Sequence, residues 1–319
     1  MARYHIPCMP TEVARYLACR SGETIVDGTV GGAGHSRMIC SRIAPDGLLI
    51  GIDQDRDAIR QARDVLAPWA PRIRLVHANF ARLDRILDDL DIGGVDGILL
   101  DIGLSRHQLQ GSGRGFSFAR DEPLDMRMNT DAPTTAADIV QTADEKTLAA
   151  IFRDYGEERR AAAFARAIVR ERGRMDLTRS RTLAELVVRL VPAREAARQK
   201  IHPATRVFMA LRIAVNRELE RLEQVLPAAI RRLNPGGRLC VLSFHSLEDR
   251  IVKHTFRDLS TGCRCDPRLP ACVCGRKPQV KLLTRRVVRP QAAEIAANPM
   301  ARSTRLRAVL KLEPGKGSA

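Results

Sequence analysis

The run VDGTVGGAGHS, residues 26–36, places Gly28, Gly31, Gly32 and Gly34 just after an apolar stretch and an aspartate. Missing side chains let backbone N–H groups approach a ligand, so such a loop can cradle a phosphate, a dinucleotide or an adenosyl group. No three of these glycines stand at relative positions one, three and six, which argues against a dinucleotide fingerprint, and the phosphate-loop signature is absent too. Asp53 ends a second apolar run, where its two oxygens could accept both ribose hydroxyls of an adenosyl ligand or cap the helix that follows. Phe80 follows a third run and could stack on an adenine or fill the core. Asp101 ends a fourth, where a carboxylate can orient an amine and take up its proton, or simply bond a backbone N–H.

These positions need elements to bring them together. ETIVDGT, GLLIGIDQD, RIRLVHANF and VDGILLDIG read as buried strands, and GHSRMICSRIA, DRDAIRQARDVLA and ARLDRILDDL between them have helical spacing. This β-α-β alternation predicts a parallel sheet covered by helices, with Asp53 and Asp101 at the carboxyl ends of its strands beside the glycine loop. From about residue 105 the strand-like runs stop and helical patterns take over. Thr142 and Glu145 have capping-box spacing, and Leu183, Leu186, Val187, Leu190 and Val191 repeat with helical period. A long helical run over 205–233 then leads into LNPGGRLCVLSF, and VKLLTRRVVRP and TRLRAVLKL supply two more strands. The expected organisation is a sheet domain in two parts, 1–108 and 206–319, interrupted by a helical substrate-recognition domain, 109–205. Strand, glycine turn, helix and distal acid in this order form the layout of S-adenosylmethionine enzymes.

The net charge of +16, from 53 Lys and Arg against 37 Asp and Glu, makes nucleic acid the leading partner class. Arginine on solvated faces is the plainer alternative. No signal-peptide core or 18-residue apolar run is present, so the expectation is a cytoplasmic protein with no membrane association and with reduced cysteines. In the inserted region Arg114, Phe116, Phe118, Arg120 and Arg127 interleave basic and aromatic groups suited to RNA, and His202 and Arg206 close it, although the two Phe residues could instead be core. Arg159, Arg160, Arg166, Arg170, Arg172 and Arg174 add a charged helix surface. No Cys lies between Ile98 and Gln110, so a thiol nucleophile is not expected at the fourth-strand end; Cys240 falls inside a strand. His245, after the fifth strand, could orient a base or its phosphate, or cap the next helix. Cys263, Cys265, Cys272 and Cys274 form C-x-C-x6-C-x-C, a possible zinc site, though the pairs are closer than the usual two to four intervening residues.

Six blocks in order, DGTVGGAGHS, LLDIGLSRHQL, RGFSFARDEPLDMRMN, HPATRVFMALRIAVNREL, LNPGGRLCVLSFHSLEDRIVK and NPMARSTRLRAVLK, closely resemble the ribosomal RNA small subunit methyltransferase H family. The resemblance extends from about residue 5 to 312. It implies a class I S-adenosylmethionine-dependent methyltransferase, with a Rossmann-like α/β sheet and an inserted helical domain. The implied reaction is methylation of N4 of a decoding-centre cytidine in 16S rRNA of the small ribosomal subunit. Cofactor positions carry over to Ala33, Gly34, His35, Asp53, Phe80, Asp101 and Gln108. This chain departs from the family in having Ala33 where glycine is common, which is expected to require a negative φ, and Arg106-His107 where serine-proline is common. The Asp/Asn-Pro-Pro-aromatic run of many DNA amino-methyltransferases is absent at DIGLS. A methyltransferase acting on DNA or protein, and a noncatalytic assembly factor that keeps the fold, are the alternatives.

Overall fold

The computed structural model describes residues 7–198, 201–263, 265–266 and 274–313. They divide into two compact units, Met1–Gly103 with Leu219–Ala319, and Leu104–Glu218.

The first unit is built on a seven-stranded sheet. Its strands are β1 (Thr24–Asp27), β2 (Leu48–Asp53), β3 (Ile73–His77), β4 (Val95–Asp101), β5 (Leu233–Ser243), β6 (Val280–Leu282) and β7 (Arg305–Lys311). Their order is β3-β2-β1-β4-β5-β7-β6; the first five run parallel, and β7 is antiparallel to both neighbours. The central strands are apolar on both faces because helices cover both. Alternation along each strand then sorts the residues into two cores. Val26, Ile50, Ile98, Leu100, Leu239 and Val241 belong to one, and Ile25, Leu49, Leu99, Cys240 and Leu242 to the other. Register sets Asp27 opposite Gly51 and Leu99, and Asp101 opposite Leu242, so the strand-end acids share one edge.

The second unit is helical. Ala136–Thr142, Glu145–Asp154, Ala161–Glu171, Ser180–Arg189 and Thr205–Asn216 pack around the fully buried Phe152 and Phe164. Each such ring contributes on the order of 1.5–3 kcal/mol of burial. Leu148 and Phe152, Phe164 and Ile168, and Leu183 and Val187 are each four apart and so share a helix face. The helix Thr205–Asn216 places Val207, Phe208, Ala210 and Leu211 in this core, so the unit closes after residue 218 and not at 205.

The single long helix expected over 205–233 is two, Thr205–Asn216 and Glu218–Arg232, because Arg217 is left-handed at φ +49° and ends the first. The expected cap at Thr142 also moves: Thr142 ends one helix, and Asp144 caps the next by accepting from Thr147 N at 2.7 Å. Among the described residues no helix is long and apolar enough to cross a membrane.

Candidate active site

Asp27 ends β1 almost wholly buried, and it accepts hydrogen bonds from Ser36 Oγ at 2.6 Å and Thr29 N at 3.2 Å. Burial pushes its carboxyl above the usual range, against the opposing pull of the Ser36 bond. The two bonds tie the start of the glycine loop to the helix that follows it, Gly34–Ile43. Thr29 Oγ1 in turn accepts from Asp101 N at 2.6 Å, which fastens the loop to the end of β4. Neither Ser36 nor Thr29 was singled out from the sequence. The signal available was their polarity inside an otherwise glycine and apolar run.

Asp53 Oδ2 accepts from Gly31 N at 2.8 Å and Oδ1 from Asp55 N at 2.9 Å. Each oxygen keeps a second lone pair, which suits it to a diol. The helix Arg56–Val65 is capped by Asp55, whose side chain accepts from Asp57 N, so capping does not consume Asp53. Desolvation by burial pushes the Asp53 carboxyl up to about 7, despite the two N–H donors. Gly31 stands at φ +49° with open space where a side chain would be, its nearest neighbour being Thr29 O at 3.8 Å. Phe80, half-buried after β3, has its Cβ 3.5 Å from the Cβ position of Gly28, beneath the same loop.

Ala33 is the N-cap of Gly34–Ile43 at φ +60°, ψ 21°, fully buried. The expectation of a negative φ there is overturned: the turn into the helix needs the left-handed region, and alanine accepts its strain in place of glycine. A Cβ on Gly34 would stand 2.9 Å from Pro7 Cδ, so Pro7 packs directly against the helix start. That contact was not foreseen from the sequence.

His35 is 5% exposed and its Nε2 lies 3.5 Å from Oδ2 of Asp101, itself 11% exposed. Neither ring nitrogen of His35 has a hydrogen-bond partner among the described residues, and neither does Asp101 Oδ1. Buried polar atoms without partners cost about 1–3 kcal/mol each, so three together at a strand edge fit a polar ligand. Cys8 lies close enough to Asp101 for its charge to act on the thiol, but burial first and that charge second push the thiol up to about 12. Burial also raises the Cys240 thiol, which sits in the core. Both cysteines are poor nucleophiles.

His245 is the N-cap of the helix Ser246–Ser260, beyond the end of β5. Its Nε2 stands 3.0 Å from Oε1 of the fully buried Glu248, whose Oε2 accepts from Phe244 N at 2.8 Å. The helix start thus holds His245 in place. In the helical unit Gln108 completes a capping box with Ser105, accepting from Ser105 N at 3.0 Å.

Of the residues expected to face RNA, three turn inward. Arg114 is 8% exposed and donates to the carbonyls of Arg127 and Met128, and Phe116 belongs to the helical core. Arg127 pairs with both oxygens of Asp125, at 2.8 and 2.6 Å. Their work is to hold the 114–128 segment, and sequence could not separate this from phosphate contact because arginine serves both. Phe118 stacks on the exposed His202 with centroids 4.4 Å apart, while Arg120 and Arg206 remain accessible. Arg160, Arg166 and Arg170 are engaged with Glu195, Glu145 and Glu171.

Cys263, Cys265 and Cys274 bring their sulfurs within 4.8 Å of one another. Cys272 lies outside the described residues.

Sheet order, glycine loop and strand-end carboxylates together define a class I methyltransferase. The chain belongs to the MraW methylase family, which matches residues 2–312. It is similar to the ribosomal RNA small subunit methyltransferase H of Desulforapulum autotrophicum, 54% identical over 303 residues that cover 95% of this chain and 97% of that one. Its counterpart of the same name in Syntrophotalea carbinolica is 53% identical over 308 residues, 97% of this chain and 98% of the other.

Proposed function

We propose that this protein transfers a methyl group from S-adenosylmethionine to N4 of a decoding-centre cytidine in 16S rRNA, acting on the small ribosomal subunit in the cytoplasm. The observation that carries the reading is the Asp101 carboxylate, with Oδ1 unpartnered and His35 3.5 Å from Oδ2, at the strand edge bound to the glycine loop through Thr29. The rRNA methyltransferase names of the relatives and the charge of +16 support an RNA substrate.

S-adenosylmethionine, when bound, supplies an electrophilic methyl group. Asp53 would hold its ribose hydroxyls, Phe80 its adenine, and Ala33, Gly34 and His35 its amino-acid end at the positive end of the helix Gly34–Ile43. Gln108 belongs to the same proposed set, with its side-chain oxygen engaged by Ser105.

The chemical difficulty lies with the acceptor. Cytosine N4 shares its lone pair with the ring and attacks poorly until it is oriented. A carboxylate oxygen with an open lone pair can accept one N–H of the amine and so aim the nitrogen; it then takes the proton shed as the N–C bond forms. Asp101 Oδ1 has that capacity, and His35 Nε2 stands 3.5 Å from the other oxygen. His245 would orient the base from the β5 side. Phe118, Arg120, His202 and Arg206 are the RNA contacts proposed on the helical unit.

Small subunits from a strain lacking the enzyme, incubated with methyl-labelled cofactor and digested to nucleosides, test the reading. Label in N4-methylcytidine at one decoding-centre site is expected. Label in 5-methylcytidine, in DNA or in protein overturns it. Asp101→Ala is expected to lose transfer while remaining folded, with cofactor affinity measured alongside to separate acceptor chemistry from cofactor binding.

A further inference from the structure

A cavity of about 310 Å3 lies between the helix Ser246–Ser260 and the start of β7, apart from the glycine loop. Arg250, Lys253 and His254 line it from the helix, and Arg289 and Arg305 from the other side. Its one carboxylate, Asp249, is already satisfied by Arg307, which holds both oxygens at 2.7 and 3.1 Å. Because Arg307 holds Asp249, the charges of Lys253, Arg289 and Arg305 leave the lining basic.

Arg305 carries the argument furthest. Its Nη1 is buried yet has no hydrogen-bond partner among the described residues. A guanidinium N–H left so costs about 1–3 kcal/mol or more, and the group that relieves it must be an acceptor, best an anionic oxygen. Register fixes where this happens: Arg305 pairs with Ser243, the last residue of β5, and Leu242 lies between Asp101 of β4 and Leu306 of β7. Two strand spacings, roughly 10 Å, separate the backbone of Asp101 from that of Leu306. Arg305, one residue earlier, turns to the other face, toward the helix Ser246–Ser260, at the same strand-end edge. An RNA strand reaching Asp101 over that edge would bring a neighbouring phosphate toward the cavity.

We infer that the cavity binds a backbone phosphate of the RNA that bears the target nucleotide, with Arg305 as its buried donor and Lys253 and Arg289 as its exposed charges. The inference rests on the RNA reading above. The site anchors the strand next to the reacting base, and it is distinct from the aromatic and arginine contacts on the helical unit.

The test uses the full chain and unmethylated small subunits, with KM, kcat and cofactor affinity measured over a range of salt. Lys253→Gln with Arg289→Gln removes two exposed charges from the cavity. KM should rise at least about tenfold, kcat and cofactor affinity should stay within twofold, and the slope of log KM against log salt should fall by about 0.7 to 0.9, as one phosphate contact is lost. Arg60→Gln with Arg85→Gln removes the same charge from residues 76% and 72% exposed elsewhere, and should leave KM within twofold. Unchanged KM and slope in the cavity variant, or an equal rise in the distant one, overturns the phosphate site. A wild-type enzyme that methylates DNA or protein and no rRNA overturns the RNA reading itself, and the site with it.

Discussion

In its proposed role, Asp53 links burial to cofactor binding through one carboxylate. Its ordinary value is near 3.8, and burial raises it to about 7, so the folded protein holds this proton more tightly than the unfolded chain does. Asp53 therefore lowers stability as pH rises from about 4 through 7. Binding runs the other way, because a diol donates to the ionised form. Cofactor affinity should be about tenfold weaker at pH 6 than at pH 8, or roughly 1.4 kcal/mol, as the ionised fraction falls from about nine-tenths to one-tenth. Titration calorimetry of the wild type and Asp53→Asn checks this. The variant should bind more weakly at pH 8 and lose the dependence; a pH dependence that survives in the variant would remove Asp53 as its source. Ala33 offers a second measurement at this scale. Gly there relieves about 1–2 kcal/mol of left-handed strain but gives up a buried methyl, about 0.8 kcal/mol, and adds chain entropy of about 0.5–1 kcal/mol. Ala33→Gly should accordingly be neutral within about 1 kcal/mol by urea unfolding. Ala33→Val adds β-branching to the same φ in a fully buried position and should cost at least about 2 kcal/mol.

Among the elements, the strands were easier to foresee than the helix ends. β1 to β4 fall on the four apolar runs read from the sequence. β1, β2 and β4 are buried on both faces and so leave an unbroken apolar signature, whereas β3 lies at the sheet edge with no buried residue. Helix ends depend on single backbone torsions and on which of two nearby polar groups reaches a free N–H. Asp144 displaced Thr142 as a cap, and Arg217 divided one run into two. The cysteine segment is a sharper case, because C-x-C spacing alone argues weakly for metal. Three thiols within 4.8 Å of one another offer three of the four ligands a tetrahedral zinc takes. Elemental analysis of protein purified without chelator decides between about one zinc per chain, lost in Cys263→Ser with Cys265→Ser, and none. Metal-free protein whose thiols all titrate freely would dispose of the site.

For the whole molecule, the charge of +16 bears on rate and affinity and leaves the fold aside. Phosphate contacts displace counterions, so methylation of small subunits should fall steeply between about 50 and 200 mM salt, by an order of magnitude or more in kcat/KM. Cofactor binding in calorimetry should change far less, because the proposed pocket uses backbone dipoles and the carboxylates Asp53 and Asp101 and meets no polyanion. A salt response equal in the two assays would place the charges outside substrate recognition. Assembled or partly assembled subunits should also be far better substrates than a short oligonucleotide, as each basic surface engages a separate stretch of RNA.

The sequence by itself determined the parallel core, the glycine loop, the order of Asp53, Phe80 and Asp101, and the presence of a helical insertion. All of these are encoded in local periodicity and in residue type at strand ends, which neighbouring residues suffice to specify. Tertiary structure alone decided which side chains are spent on the fold. Arg114, Phe116 and Arg127 were engaged by the fold, Asp55 took the capping that would have occupied Asp53, and Arg305 Nη1 was buried with no acceptor among the described residues. A carboxylate or guanidinium has the same composition whether it is paired or open. Its availability for chemistry depends on which group reaches it in the folded chain, from two residues away as for Arg127 and Asp125 or from tens of residues away as for the 3.5 Å approach of His35 to Asp101.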